Sequence, residues 1–224
     1  MPNRSYLRLL IYTIVVASLY SFSFTAASLR PELVGTMSEY FFCFKSWENA
    51  RREVLSANAL QARSPASSIR MERELRQRLQ MLTPKQLQLL QNSTIDVRTC
   101  LAWLAAVKRS AFLMEFAAEV MRAKLELHDT VLRASDYERF INEKAPHHPE
   151  LVQLTPSSST KIRRVMLLML REVRLLASGP DLGKIQRLVM PPAVEKVIRN
   201  DDPTWLAAFL LPFSEIKTGR PNYA

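Results

Sequence analysis

Glycine is scarce in this chain, with only four residues among 224. Enzymes that cradle phosphate or dinucleotide groups do so in loops with several closely spaced glycines. The nearest approach to such a loop, the segment 179–185, has one residue too few between its glycines. It also carries Ile185 where a serine or threonine should follow Lys184. The sequence therefore argues against a glycine-rich-loop enzyme, and we interpret this segment as a turn that ends a helix.

Cysteine and histidine are also rare, with two and three residues. Cys43 and Cys100 lie among apolar neighbours, which predicts buried, reduced thiols. Two cysteines without Cys-x-x-Cys spacing cannot build a zinc site unaided. The adjacent His147 and His148 are interpreted as a loop end or a helix cap, because neighbouring side chains point apart. No serine has the partners of a nucleophile motif, so we expect no enzymatic activity, no metal and no cofactor.

Charged residues are missing between Leu9 and Leu29, and Arg4 and Arg8 precede this span. The pattern is typical of a signal peptide and is also just long enough for a membrane span. However, the second half of the span is less apolar, because it contains several serines, Thr25 and a tyrosine. We favour a third interpretation, in which residues 1–19 are an apolar extension from an upstream start codon, and a membrane anchor is the alternative.

Basic residues exceed acidic ones by ten, and the excess is uneven. Nine bases face four acids in the segment 45–85, and nine bases face three acids in 155–199. The intervening segment 115–150 is acidic, with eight acids and five bases. Segregated charge of this kind favours an anionic partner over a merely soluble surface.

Helical periodicity dominates the chain after residue 30, which predicts an all-α, multi-helix globular bundle with at most one small β-hairpin. Capping boxes are predicted at Thr83–Gln86 and at Ser135–Glu138, and the segment 185–190 is the candidate strand. We expect an N-terminal helical domain over 20–150, a C-terminal helical domain with a basic helix over 151–213, and a tail over 214–224.

Two predicted helix starts share one pattern, a hydroxyl residue and a proline followed by small hydroxyls and then bases. Ser64-Pro65 opens the first and Thr155-Pro156 opens the second. Free backbone N–H groups, hydroxyls and cations together suit phosphate oxygens. The candidate nucleic-acid-binding residues are Arg63, Ser64, Ser67, Ser68, Arg70, Arg73, Ser157, Ser158, Lys161, Arg163, Arg164, Arg171, Lys184 and Arg187.

Known DNA-binding motifs offer two ways to arrange these helices. The pair 47–55 and 65–81 could form a helix-turn-helix whose second helix enters the major groove. The helix 155–176, followed by a turn and the segment 185–190, could form a winged variant. The alternative is that these capped helices carry arginine only for solubility.

Several segments, in a fixed order along the chain, carry a resemblance to a known family. They are 23–29, 58–68, Arg78-Leu79, Leu82-Thr83-Pro84, 148–151, 154–157, Lys161, Arg164 and Leu170-Arg171-Glu172. On these residues the chain resembles the BrxA family, from about residue 20 to residue 213.

The resemblance implies a small all-helical, non-enzymatic core component of BREX, a bacterial system that blocks phage replication and methylates host DNA. The family fold has been compared in part to the antitermination factor NusB. The resemblance also implies binding to double-stranded DNA and to the other BREX core proteins, namely a methyltransferase, an ATPase, a phosphatase-like and a protease-like component. We expect a cytoplasmic protein, with inner-membrane association through residues 1–19 as the alternative.

Overall fold

The computed structural model describes residues 19–218, so the apolar extension predicted at residues 1–19 lies almost entirely outside the described residues. The first half is helical. After a 3-10 turn at Ser23–Ala26, its helices are α1 (Pro31–Phe44), α2 (Trp47–Ser56), α3 (Pro65–Leu79), α4 (Pro84–Leu90) and α5 (Ile95–Arg109). Three of these helices begin with a proline, whose fixed φ and missing N–H suit the first helical position.

The second half begins with one rod, which consists of α6 (Ala111–Glu115), a π-helical segment (Phe116–Met121) and α7 (Arg122–Glu126). The helices that follow are α8 (Ala134–Lys144), α9 (Pro149–Val152), α10 (Pro156–Glu172), α11 (Pro192–Arg199), a 3-10 helix (Pro203–Phe209) and α12 (Phe213–Thr218).

Three short strands form one antiparallel sheet, with β1 at Val131–Leu132, β2 at Leu176–Ala177 and β3 at Gly183–Ile185. Their order is β1-β3-β2, so β3 is central. Lys184 faces Val131 on one side and Ala177 on the other. The predicted mostly helical fold is confirmed, but the one expected hairpin is extended by a third strand from before α8.

The apolar core is centred on α5, whose residues 100–107 are all buried. Trp103 is fully buried there, and its Nε1 donates a hydrogen bond to the carbonyl of Ala208 at 3.0 Å. The buried apolar residues form one continuous cluster from Tyr20 to Ile216. A single core therefore spans both of the parts predicted from the sequence.

The segment 20–29 crosses this core as an anchoring strap, which we define by those residues. At one end, the Tyr20 hydroxyl donates to Glu115 at 2.5 Å and the Tyr20 ring stacks on His148. At the other end, Ser28 Oγ donates to Glu172 at 2.8 Å, and the Ser28 carbonyl accepts from Arg78 at 2.8 Å. The strap thus connects α3 to the rod and to α10.

Several local predictions need correction, while the capping box at Thr83–Gln86 is confirmed. The box predicted at Ser135–Glu138 is wrong, because α8 begins at Ala134 and Asp136 accepts the backbone N–H of Arg133. The strand predicted at 185–190 lies instead at Gly183–Ile185. Cys43 is exposed rather than buried, since it lies in the last turn of α1 on the solvent side.

Candidate nucleic-acid interface

The first turn of α10 is held by its own hydroxyl groups. Thr155 is the N-cap, and its Oγ1 accepts the backbone N–H of Ser158 at 3.2 Å. The same hydroxyl donates to Ser158 Oγ at 2.9 Å and lies 3.1 Å from Ser157 Oγ. These hydroxyls therefore shape the helix start, and a ligand would have to share them with the cap.

The exposed side of α10 carries a line of polar and basic side chains. Ser157, Lys161, Arg164 and Arg171 are exposed at spacings of four, three and seven residues, which places them along one face of the helix. The opposite side is buried in the core, through Ile162, Met166, Met169 and Leu170. We call Lys161, Arg164, Arg171 and Lys184 the C-terminal basic face.

Lys184 joins this face because a β-hairpin follows α10 directly. The guanidinium of Arg171 donates to the carbonyl of Leu182, two residues before Lys184, at 2.9 Å. Lys184 is exposed, while Gly183 and Ile185 on either side of it are buried. A helix followed by a hairpin, with β1 completing the sheet, agrees with the winged variant considered from the sequence. Arg187 is also exposed but lies beyond β3.

Arg163 lies off the C-terminal basic face. Its guanidinium carbon is 5.8 Å from the centre of the Tyr137 ring on α8. Burial raises the pKa of Tyr137 to about 12, and the nearby Arg163 acts in the opposite direction. This candidate therefore makes a packing contact between α10 and α8.

The start of α3 presents a smaller basic surface. Ser64 caps the helix by accepting the backbone N–H of Ser67 at 3.3 Å, and its hydroxyl donates to Ser67 Oγ at 3.0 Å. The other exposed candidates here are Arg63, Arg70 and Arg73, which we call the N-terminal basic face.

Ser68 does not belong to the N-terminal basic face, because it is buried and only 6% exposed. Its position three residues before Met71 and seven before Leu75 puts it on the apolar side of α3. That spacing is present in the sequence and could have excluded it. The Ser68 side chain therefore faces the protein interior rather than the exposed start of α3.

The helix-turn-helix predicted around α3 is only partly present. Helices α2 and α3 pack against each other. However, their connection runs from Ala57 to Ser64 and is longer than the roughly three- or four-residue turn of that motif. Asn58 and Gln61 adopt positive φ within it.

The candidate cations differ from most other bases in having no acidic partner. Within residues 19–218, none of Arg63, Arg70, Arg73, Lys161, Arg163, Arg164, Arg171, Lys184 and Arg187 forms an ion pair with a carboxylate. By contrast, Glu72 pairs with Arg51 and Arg76, and Glu74 pairs with Arg78 and Arg109. The acids that form ion pairs therefore neutralise a separate set of bases. Among the candidates, Arg163 packs on Tyr137 and Arg171 donates to a backbone carbonyl, so neither is paired with a carboxylate.

The two basic helices converge at their C-terminal ends. Arg78 of α3 and Glu172 of α10 both bind the strap at Ser28. The helix starts at Ser64 and Thr155 lie back along their own helices, at about 21 Å and about 25 Å from that point. In the part of the chain that the structure describes, no hydrogen bond or ion pair joins the two starts. The two starts are therefore described as two surfaces, each held by its own local hydrogen bonds.

The described residues contain no group of three or more potential metal ligands. His148 sits at the start of α9, and its Nδ1 lies 2.8 Å from Glu150 while its ring covers Tyr20. Among residues 19–218, no helix is long and apolar enough to cross a bilayer.

Comparison with known proteins identifies the family. The family model of BrxA matches residues 18–202, whereas no curated protein matches the chain. A solved structure described as an uncharacterized protein from Magnetospirillum magneticum superposes with a TM-score of 0.74 at 16% identity, covering 86% of this chain and 98% of that one. At that identity the likeness concerns the fold alone. Because the family model covers well over half of its residues, the chain belongs to the BrxA family.

Proposed function

We propose that this protein is a non-enzymatic DNA-binding component of BREX that holds the phosphates of a duplex on its C-terminal basic face. Membership of the BrxA family suggests a role associated with BREX. The observation that supports DNA as the ligand is the row of cations on α10, which continues onto Lys184 and has no internal acidic partner. The N-terminal basic face would add a second set of phosphate contacts.

Physical chemistry favours this assignment over a solubility role. An exposed cation gains little from a lone surface ion pair, but each one that neutralises a phosphate releases condensed counterions from the duplex. Lys161 and Arg164 lie close together on one side of α10, where they can follow a groove and its flanking backbone. Binding through phosphates would be largely independent of base sequence and steeply dependent on salt.

The test is duplex affinity against salt concentration, measured by fluorescence anisotropy. The double variant Lys161→Ala with Arg164→Ala should reduce the slope of log affinity against log salt by about 1.8, because each phosphate contact contributes about 0.9. The matched control, Lys85→Ala with Lys196→Ala, removes the same charge from exposed positions on α4 and α11 and should leave the slope nearly unchanged. Equal slopes for the two double variants would contradict the assignment, because net charge alone would then explain binding.

The N-terminal basic face is tested separately with Arg70→Ala and Arg73→Ala. If both faces bind one duplex, combining these changes with those on α10 should reduce the slope further on a long duplex. If only α10 binds DNA, the α3 changes should leave the slope as it is.

A second candidate is a scaffold that binds an acidic surface on another BREX protein, either the methyltransferase, the ATPase, the phosphatase-like or the protease-like component. The exposure of Leu168, 44% exposed between Arg164 and Arg171, favours this alternative, because apolar side chains among cations suit a protein interface. Co-purification of BREX proteins after nuclease treatment separates the two, since a scaffold keeps its partners without DNA.

A further inference from the structure

The turn of the β2–β3 hairpin is attached to its surroundings through two adjacent residues just before β3. Arg171 of α10 donates to the carbonyl of Leu182 at 2.9 Å. Asp181 Oδ1 accepts the backbone N–H of Ala134, the first residue of α8, at 3.0 Å. The hairpin is thus fixed to both helices that flank it in space.

These attachments matter because the hairpin is too short to be stable alone. Its strands have two and three residues, and an isolated two-stranded hairpin is marginal at best in water. The pairing of Lys184 with Val131 and Ala177 sets the register. Since side chains alternate across a strand, this register turns Lys184 towards solvent and Ile185 towards the core.

The attachment of Asp181 also removes an obstacle to DNA binding. A carboxylate at the tip of the turn would repel phosphates if it pointed outward. Instead it binds the N-terminus of α8, where backbone N–H groups and the helix dipole favour a negative charge.

We propose that Arg171 is a positioning residue, which fixes the hairpin as a wing so that Lys184 contacts phosphates of the duplex that α10 engages. This inference rests on the proposed function. Arg171 is aligned with Lys161 and Arg164 on α10, but its guanidinium donates a hydrogen bond to a backbone carbonyl of the hairpin. Lys184, two residues beyond that carbonyl, is the cation that the hairpin presents.

A double-mutant cycle tests the proposal, with Lys184→Ala, Arg171→Ala and the two combined, measured as the slope of log duplex affinity against log salt. Removing Lys184 should lower the slope by about 0.9, the value of one phosphate contact. Removing Arg171 should abolish the same phosphate contact of Lys184. The slope of the combined variant should therefore fall by no more than the slope of either single variant. A combined loss of about 1.8 would overturn the proposal, because Arg171 would then bind a phosphate of its own.

Two variants at Asp181 keep the test independent of any folding defect in Arg171→Ala. Asp181→Asn retains the acceptor for Ala134 and should bind DNA at least as tightly as the unaltered protein. Asp181→Ala removes the hydrogen bond to Ala134 and should lower the salt slope of duplex affinity as Lys184→Ala does. Equal binding by both Asp181 variants would count against a fixed wing.

The two proposals can fail separately. If Lys161→Ala with Arg164→Ala has no effect on duplex binding, the proposed function fails. If that pair weakens binding while the effects of Arg171→Ala and Lys184→Ala add, only the wing assignment fails.

Discussion

Arginines on the same helix have opposite roles in this protein. Arg70 of α3 is exposed, whereas Arg78, two turns later, is only 2% exposed. The guanidinium of Arg78 donates to Glu74 at 2.7 Å and to the strap carbonyls of Phe24, Ala27 and Ser28 at 2.8 to 3.2 Å. Burial lowers its pKa, and the adjacent Glu74 opposes that effect. Arg78 thus supplies hydrogen-bond donors to strap carbonyls that would otherwise be buried without a partner.

The substitution Arg78→Ala should destabilise the protein by about 3–5 kcal/mol, because it leaves Glu74 and the strap carbonyls buried without their donor. The free energy of unfolding in urea measures this loss. Arg70→Ala, on the exposed side of the same helix, is the matched control and should change it by about 0.5 kcal/mol or less. Similar losses for the two variants would show that the strap does not depend on Arg78.

The spacing of apolar residues along α3 distinguishes Arg78 from Arg70, although the two side chains carry the same charge. Arg78 lies seven residues after Met71 and three after Leu75, so it falls on the apolar side of α3. Its buried role follows from that spacing, as does the burial of Ser68. Its partners do not follow, because they belong to the strap, about fifty residues earlier in the chain.

At the scale of elements, the helices were predictable, whereas the bounds of the strands and the third strand were not. Ser64, Thr83 and Thr155 cap helices that begin with proline, and these local signals place the helix starts correctly. The strands have two or three residues and little pattern of their own. They exist because β1, far away in sequence, pairs with β3, and such tertiary pairing is invisible to local reasoning.

Gly183 is the residue on which this sheet depends. Its φ of 138° lies in a region that L-residues rarely adopt, and a Cβ at this position would collide with the carbonyl oxygen of Ala177 on β2. Gly183→Ala should therefore destabilise the protein by about 1–3 kcal/mol, as measured by thermal unfolding, and should weaken duplex binding as Lys184→Ala does. Ser178→Ala, at an exposed position in the same turn, should do neither. Normal stability of Gly183→Ala would mean that the hairpin can re-form with another register.

At the scale of the whole molecule, specific side-chain contacts cross the boundary predicted near residue 150. Trp103 binds the carbonyl of Ala208, Lys108 pairs with Asp201 at 2.5 Å, and Ser28 binds Glu172. Residue 150 separates an acidic segment from a basic one, but charge patterning reports on surfaces and partners rather than on how many cores a chain has. The continuous core and the strap lead us to infer that residues 20–150 and 151–213 fold together.

A core substitution in either of the segments 20–150 and 151–213 should therefore lower the stability of both. Leu170 is fully buried on α10, and Leu170→Ala should cost about 2–5 kcal/mol. Hydrogen exchange monitored by mass spectrometry should show faster exchange by a similar factor in α5 and in α10, because a single cooperative unit loses protection throughout. The control Leu168→Ala, on the exposed side of the same helix, should leave protection nearly unchanged. Faster exchange confined to 151–213 would instead establish two independently folding domains. In that case the relative placement of the two basic faces would no longer be fixed by the fold, and duplex binding by each would have to be measured separately.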